Sequence, residues 1–245
     1  MNDLSRRLRE AIRYFWTTRT SQAKKQGRES GQKDYGERSS VTGGAHLNGF
    51  IDLFRQLLVE SGLPESAVHC RRRTDLPGYF RPEKSWDLLA VVDGQLLAVI
   101  ECKSQVGPSF GNNYNNRTEE SLGSATDLWT AYREGGFAPS QRPWLGYFML
   151  LEHAPGSMRP ISATESHFRV FEEFRGASYA KRYEILLTKL LRERLYDGAC
   201  LVLSTRATGV RGQYSEPSPE LTFQRFATSL TAHAIAFAKS RGSHA

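Results

Sequence analysis

Cysteine is scarce in this sequence: Cys70, Cys102 and Cys200 are the three among 245 residues. They are odd in number and far apart. That excludes a disulfide framework and the paired spacing of a zinc cluster, and it predicts free thiols in a reducing cytoplasm. Long hydrophobic runs are missing as well. None approaches the roughly 20 residues that cross a bilayer, so no membrane partner is expected. The first ten residues, MNDLSRRLRE, hold no apolar stretch of the kind a secretory signal needs. There is no internal repeat and no sign of tandem domains. Acidic residues are the minority charge, 26 against 33 Lys and Arg, for a net charge of +7. A basic balance steers a protein towards polyanions.

What is present is ordinary globular composition, 39% apolar and 24% charged, in a chain long enough for one core with an appendage. Residues 3–18 form an amphipathic stripe, with Leu4, Leu8, Ile12 and Phe15 on one helical face. Residues 19–44 are polar and basic, and the expectation is a mobile arm in which Lys24 and Lys25 contact phosphate. A second helix is expected over 46–61, ended by Gly62 and Pro64. The domain division this suggests is 1–45 for an N-terminal helix and basic arm, and 46–245 for one domain. That domain would have a core over about 46–152 and a helix and strand extension over 153–245.

Two apolar strands follow, WDLLAVV (86–92) and QLLAVIECK (95–103), joined by the hairpin signal Asp93-Gly94. A polar loop is predicted over 104–117 and a helix from an N-cap at Thr118 to about Glu134. WLGYFMLL (144–151) and ACLVLS (199–204) read as buried strands, 179–196 as a helix, and Ser218-Pro219 as the opening of a last helix to about Lys239. The fold class is α/β, a mixed β-sheet flanked by helices, with helical additions at both ends.

The hairpin carries the chemistry. Phosphodiester hydrolysis needs a divalent ion to polarise phosphate and activate water, and Mg²⁺ favours one or two carboxylates with waters and phosphate oxygens. A lysine nearby orients the water and offsets developing charge. Asp87 opens the first strand, and Glu101 and Lys103 close the second on one shared face. Whether Asp87 joins them depends on the turn. A two-residue turn pairs Asp87 with Ile100 and sends Glu101 to the opposite face. A three-residue loop with Gly94 as a bulge brings all three together, and that is the register the chemistry requires. The prediction is a metal-dependent nuclease.

The spacing Asp87-x13-Glu101-Cys102-Lys103 resembles the PD-(D/E)XK nuclease superfamily, although Pro82 stands five positions before the acid and Trp86 directly precedes it. The block LPGYFRPEKSWDLLAVVDGQLLAVIECKSQVGPSFGNNYNNRTEE (76–120) is similar to the XhoI-type family of type II restriction endonucleases. So are TGGAHLNGF (42–50), PWLGYFMLLE (143–152), GASYAKRYE (176–184) and ERLYDGACL (193–201). This resemblance implies a restriction-endonuclease-like core and Mg²⁺-dependent double-strand cleavage of the DNA palindrome CTCGAG after its first C, leaving a 5′ TCGA overhang. It also implies a homodimer and a cognate DNA methyltransferase in the host. By residue, it makes Asp87 and Glu101 metal ligands with the Cys102 carbonyl as a further one. Lys103 would act on the attacking water, and Asp52 is the candidate for an extra acid from the preceding helix.

Asn112, Asn113, Asn115, Asn116 and Arg117 lie just beyond the catalytic strand. Asn reads adenine and Arg reads guanine in the major groove, so Asn113, Asn116 and Arg117 are candidate base-reading residues; a turn-forming role for the Asn cluster is the alternative. Two other functions fit the same pattern, a structure-specific nuclease of repair or recombination and a non-catalytic DNA-binding module. The second should have lost an acid or the lysine, and this sequence keeps all three.

Overall fold

The structure is a computed structural model describing residues 2–29 and 44–242. Helix α1 spans Asn2–Glu29. Leu8, Ile12, Phe15 and Trp16 are buried along one stripe of it, as the periodicity requires. The helix runs eleven residues past Thr18, into the segment expected to be an irregular arm. Ala, Gln, Lys, Arg and Glu in this stretch are good helix formers, and a helix needs no apolar anchor where its first four turns are already docked. Lys24 and Lys25 therefore sit on helical backbone, while residues 30–43 of the expected arm lie outside the described residues.

Helix α2, Asn48–Glu60, buries Phe50, Leu53, Phe54, Leu57 and Leu58. Gly62 at φ 99° follows its end. Seven strands come next in chain order: β1 Val68–Cys70, β2 Asp75–Pro77, β3 Glu83–Ser85, β4 Leu88–Val92, β5 Gln95–Gln105, β6 Trp144–Glu152 and β7 Gly198–Ser204. Five of them form one sheet in the order β1-β4-β5-β6-β7, and β2 pairs with β3 in a separate ribbon. The first two pairings are antiparallel and the last two parallel. The mixed sheet flanked by helices is the architecture the sequence predicts.

Helix α3, Phe110–Arg133, connects β5 to β6, and helix α4, Tyr179–Arg192, connects β6 to β7. Helix α5, Phe223–Gly242, ends the described chain. Alternating strand residues divide the interior in two. Leu88, Ala90, Ile100, Cys102, Phe148, Cys200 and Val202 pack with α1, α2 and α5. Leu89, Val99, Tyr147, Met149 and Leu201 pack with α3 and α4 on the other face.

Two helix starts differ from expectation. Helix α3 begins at Phe110, two turns before Thr118, whose hydroxyl instead donates to the Tyr114 carbonyl. The Asn-rich stretch is thus helical, held by Phe110 and Tyr114 in the α3–α4 core. Helix α5 begins at Phe223, whose N–H donates to Glu216 Oε1 at 2.6 Å, and Ser218-Pro219 belongs to the turn before it.

Candidate active site

The β4–β5 hairpin decides whether the acids meet. Val92 pairs with Gln95, so the turn is the two-residue one. Asp93 at φ 47° and Gly94 at φ 78° both take the left-handed conformation such a turn demands. The expected three-residue loop is therefore wrong. Val91 pairs with Leu96 but Ala90 pairs with Ala98, leaving Leu97 as an extra residue in β5. Leu97 and Ala98 consequently face the same side, in the core with α1 and α2. This internal bulge shifts the register by one, with Leu88 opposite Ile100. Asp87, one residue earlier, stands across from Glu101. The three predicted groups share the face covered by α3 and α4, by a different device from the one expected.

The bonding is tight. Asp87 Oδ2 accepts from the Cys102 N–H at 2.7 Å. Glu101 is 5% exposed and pairs with Lys103, two residues along the same face. A second lysine, unforeseen in this role, completes the group: Lys84 of β3 lies 2.9 Å from Glu101 Oε2. Its ammonium also sits 4.1 Å from the centre of the Trp86 ring. The only sequence signal was a cation three residues before Asp87; the contact itself is made by the β2–β3 hairpin folding over the sheet. The Cys102 thiol is buried in the opposite core, so only the backbone of this residue faces the acids.

Electrostatics follow from this geometry. Burial, with the neighbouring Glu101 charge, pushes Asp87 up to about 6, against the pull of Lys103 and the Cys102 N–H. Burial also opposes the Glu101 charge, but Lys103 and Lys84 outweigh it and hold Glu101 below the usual carboxylate range. Burial disfavours the Lys103 ammonium too, yet Glu101 and Asp87 raise it. A buried carboxylate and a partly buried one that is reluctant to ionise form a donor set that a hard cation would relieve. Among the described residues no cluster of three or more His, Cys, Asp and Glu side chains is placed to hold a metal ion. Two carboxylates with waters and substrate oxygens fit Mg²⁺; they do not fit a structural zinc site.

The remaining candidates spread out. Asp52 is half-exposed on α2 and grips Arg71, at 2.8 and 2.9 Å. Asn116 is exposed on α3 and Asn113 partly buried. Arg117 is turned inward with 22% side-chain exposure, paired with Glu120. Its Nε and the Tyr147 hydroxyl are both buried without a hydrogen-bond partner in the protein. Tyr147 lies beside Glu101 in the β5–β6 register, so Arg117 adds positive charge behind the centre, where Lys103 senses it.

Comparison with known proteins identifies the family. Residues 25–216 match the family described as restriction endonuclease XhoI. The chain belongs to the XhoI restriction endonuclease family. Type II restriction enzyme BstVI of Geobacillus stearothermophilus is 48% identical over 211 residues, 84% of this chain and 94% of that protein. AbrI of Azospirillum brasilense is 49% identical over 168 residues, 68% of this chain and 75% of its own length. XhoI of Xanthomonas vasicola is 42% identical over 191 residues, 77% of this chain and 76% of its own. No solved structure matches the chain significantly. As a member of the XhoI family the chain is a type II restriction enzyme, a site-specific deoxyribonuclease acting on DNA.

Proposed function

We propose that this XhoI-family enzyme makes Mg²⁺-dependent double-strand breaks at CTCGAG, cutting after the first C, with Asp87, Glu101 and Lys103 as its centre. The observation that carries the reading is the meeting of those three groups on one face through the β5 bulge. A bound Mg²⁺ would supply Lewis-acid polarisation of the phosphate and a more acidic water. Asp87 and Glu101 would hold it. The N–H and C=O of a strand residue point to the same edge, and the Cys102 N–H points to Asp87. The Cys102 carbonyl is therefore aimed to the Asp87 side, as a third oxygen donor. Lys103, held as an ammonium by Glu101 and Asp87, would orient the attacking water and stabilise the hydroxide, and Arg117 adds a further positive charge behind the centre that opposes the Lys103 ammonium.

For Asp52 to serve as an extra acid it must first release Arg71. Asn113 and Asn116 are proposed to face bases from the first turns of α3, with Arg117 turned inward, and Lys24 and Lys25 to contact phosphate. A palindrome presents two identical half-sites, which a two-fold homodimer matches. Host DNA would be guarded by a methyltransferase of the same specificity.

Digesting plasmid DNA with Mg²⁺ and sequencing the ends tests the site: 5′ TCGA overhangs at every CTCGAG are expected, and any other end sequence overturns it. Cutting in excess EDTA would remove the metal from the reading. Sedimentation with the cognate duplex should show two chains per duplex; one chain contradicts the dimer.

Lys84 yields a further prediction. It competes for the Glu101 oxygen that a metal needs, so Lys84→Met should tighten Ca²⁺ binding to the DNA-free protein by about tenfold, measured by calorimetry. Weaker Ca²⁺ binding would mean that Lys84 positions Glu101 for the ion and does not stand in for it.

A further inference from the structure

The β2–β3 hairpin is built around its tip. The Gly78 N–H donates to the Pro82 carbonyl across the turn. At the tip, Tyr79 is 54% and Phe80 69% exposed, their rings edge to face at 4.9 Å. Leaving two large aromatics in water gains nothing for folding. Yet their backbone is clamped. Asp127 of α3, itself 4% exposed, accepts the N–H groups of Tyr79 and Phe80 at 2.8 Å each and Arg81 Nε at 2.7 Å. A side chain at Gly78 would come within 2.6 Å of the same carboxylate and 2.8 Å of the Arg81 carbonyl. A buried acid and a required glycine are thus committed to holding two solvent-facing rings in one place.

The charge around the tip is positive. Residues 71–85 carry five cations, Arg71, Arg72, Arg73, Arg81 and Lys84, against the acids Asp75 and Glu83. The location is set by Lys84, which touches Glu101 at 2.9 Å. Phe80 lies four residues from it, so the tip reaches at most about 13 Å beyond the centre, or roughly four base steps. Rigid exposed aromatics in a basic setting, one hairpin length from the scissile phosphate, suit the stacked faces and grooves of nucleic acid.

We propose that the Asp75–Ser85 hairpin is a DNA-contacting element whose Tyr79–Phe80 tip lies against the bases beside the cut site and sets the duplex in register with Asp87, Glu101 and Lys103. This rests on the reading of the protein as a DNA-cleaving enzyme. The Asp127 clamp keeps the tip placed before DNA arrives, and Lys84 ties the same ribbon to Glu101.

The test uses the full chain in Ca²⁺ and a duplex bearing the cut site mapped by digestion, with 2-aminopurine replacing the adenine nearest the cut. The variants are Phe80→Ala, Tyr79→Ala and Gly78→Ala, each checked by thermal melting. The exposed-ring variants should melt as wild type, bind the duplex about tenfold to a hundredfold more weakly and lose the change in 2-aminopurine fluorescence that wild type produces. Gly78→Ala should weaken binding with both rings still present, because the clamp is displaced. Wild-type-like affinity and fluorescence in both ring variants would overturn the proposal while leaving the DNA reading intact. Wild type that binds no duplex would overturn that reading itself. If the ring variants dissociate a dimer formed without DNA, the tip contacts a second copy of the chain, and the proposal fails.

Discussion

Lys103→Ala slows single-turnover cleavage by about a thousandfold or more, the scale of losing a cation that positions water and offsets developing charge. Duplex binding in Ca²⁺ should stay within a few-fold of wild type, because Lys103 faces the buried acids more than the DNA backbone. Circular dichroism and melting establish that the variant is folded. The result that would sink the assignment is turnover within tenfold of wild type. Lys84, the other cation on Glu101, would then be the group acting on water. Double substitution of both lysines would strand Glu101 in the interior, so the single variants are the informative ones.

Asp87→Asn is expected to abolish cleavage and, in the metal-free protein at pH 8, to raise the melting temperature. The Asp87 carboxyl is pushed from 3.8 to about 6 in the fold, chiefly by burial and the Glu101 charge. The folded state therefore holds this proton more tightly than the unfolded chain. The associated stability is fully present below about pH 3.8 and is lost as pH rises through 6. At pH 8 the ionised group costs on the order of 2–3 kcal/mol. Asparagine removes the charge and can still accept the Cys102 N–H, so a gain of about 6 °C is expected for a chain of this size. At pH 4 the gap closes, and saturating Ca²⁺ at pH 8 reverses the order, since the ion stabilises only the protein that binds it. Superimposable melting curves at pH 8 and pH 4 would show that Asp87 is not strained.

Much of this site was legible because strand alternation is a rigid rule. Glu101 and Lys103 had to share a face, and apolar runs on either side of Asp93-Gly94 had to be central strands. The fold class followed from the same runs and their spacing from helical stretches. The bulge was not legible: Leu97 is one apolar residue among five from Leu96 to Ile100, and nothing in its chemistry marks it as the unpaired one. Three-residue strands such as β1, β2 and β3 are too short to show a period. Lys84 was missed for that reason, since its partner is reached only once the ribbon folds over the sheet. The Asn-rich start of α3 has turn-forming composition, and its helicity is imposed by the burial of Phe110 and Tyr114. The tail of α1 misled in the opposite sense, because a polar helix leaves no stripe to read.

The unpaired Leu97 also sets a parity rule for insertions and deletions. Across a two-residue turn, an unbulged hairpin would place residue 100 opposite Asp87, with twelve residues between them; the bulge puts Glu101 there, with thirteen between. Removing Leu97 should close the bulge and leave Ala90 opposite Ala98, and so Asp87 opposite Glu101, across a regular two-residue hairpin. Adding two residues to the turn should be tolerated, because opposite partners are then unchanged. Gaps in an alignment of this hairpin thus carry mechanistic information: with twelve residues between the acids no bulge is needed, and with thirteen a bulge or an odd-numbered turn must take up the extra one.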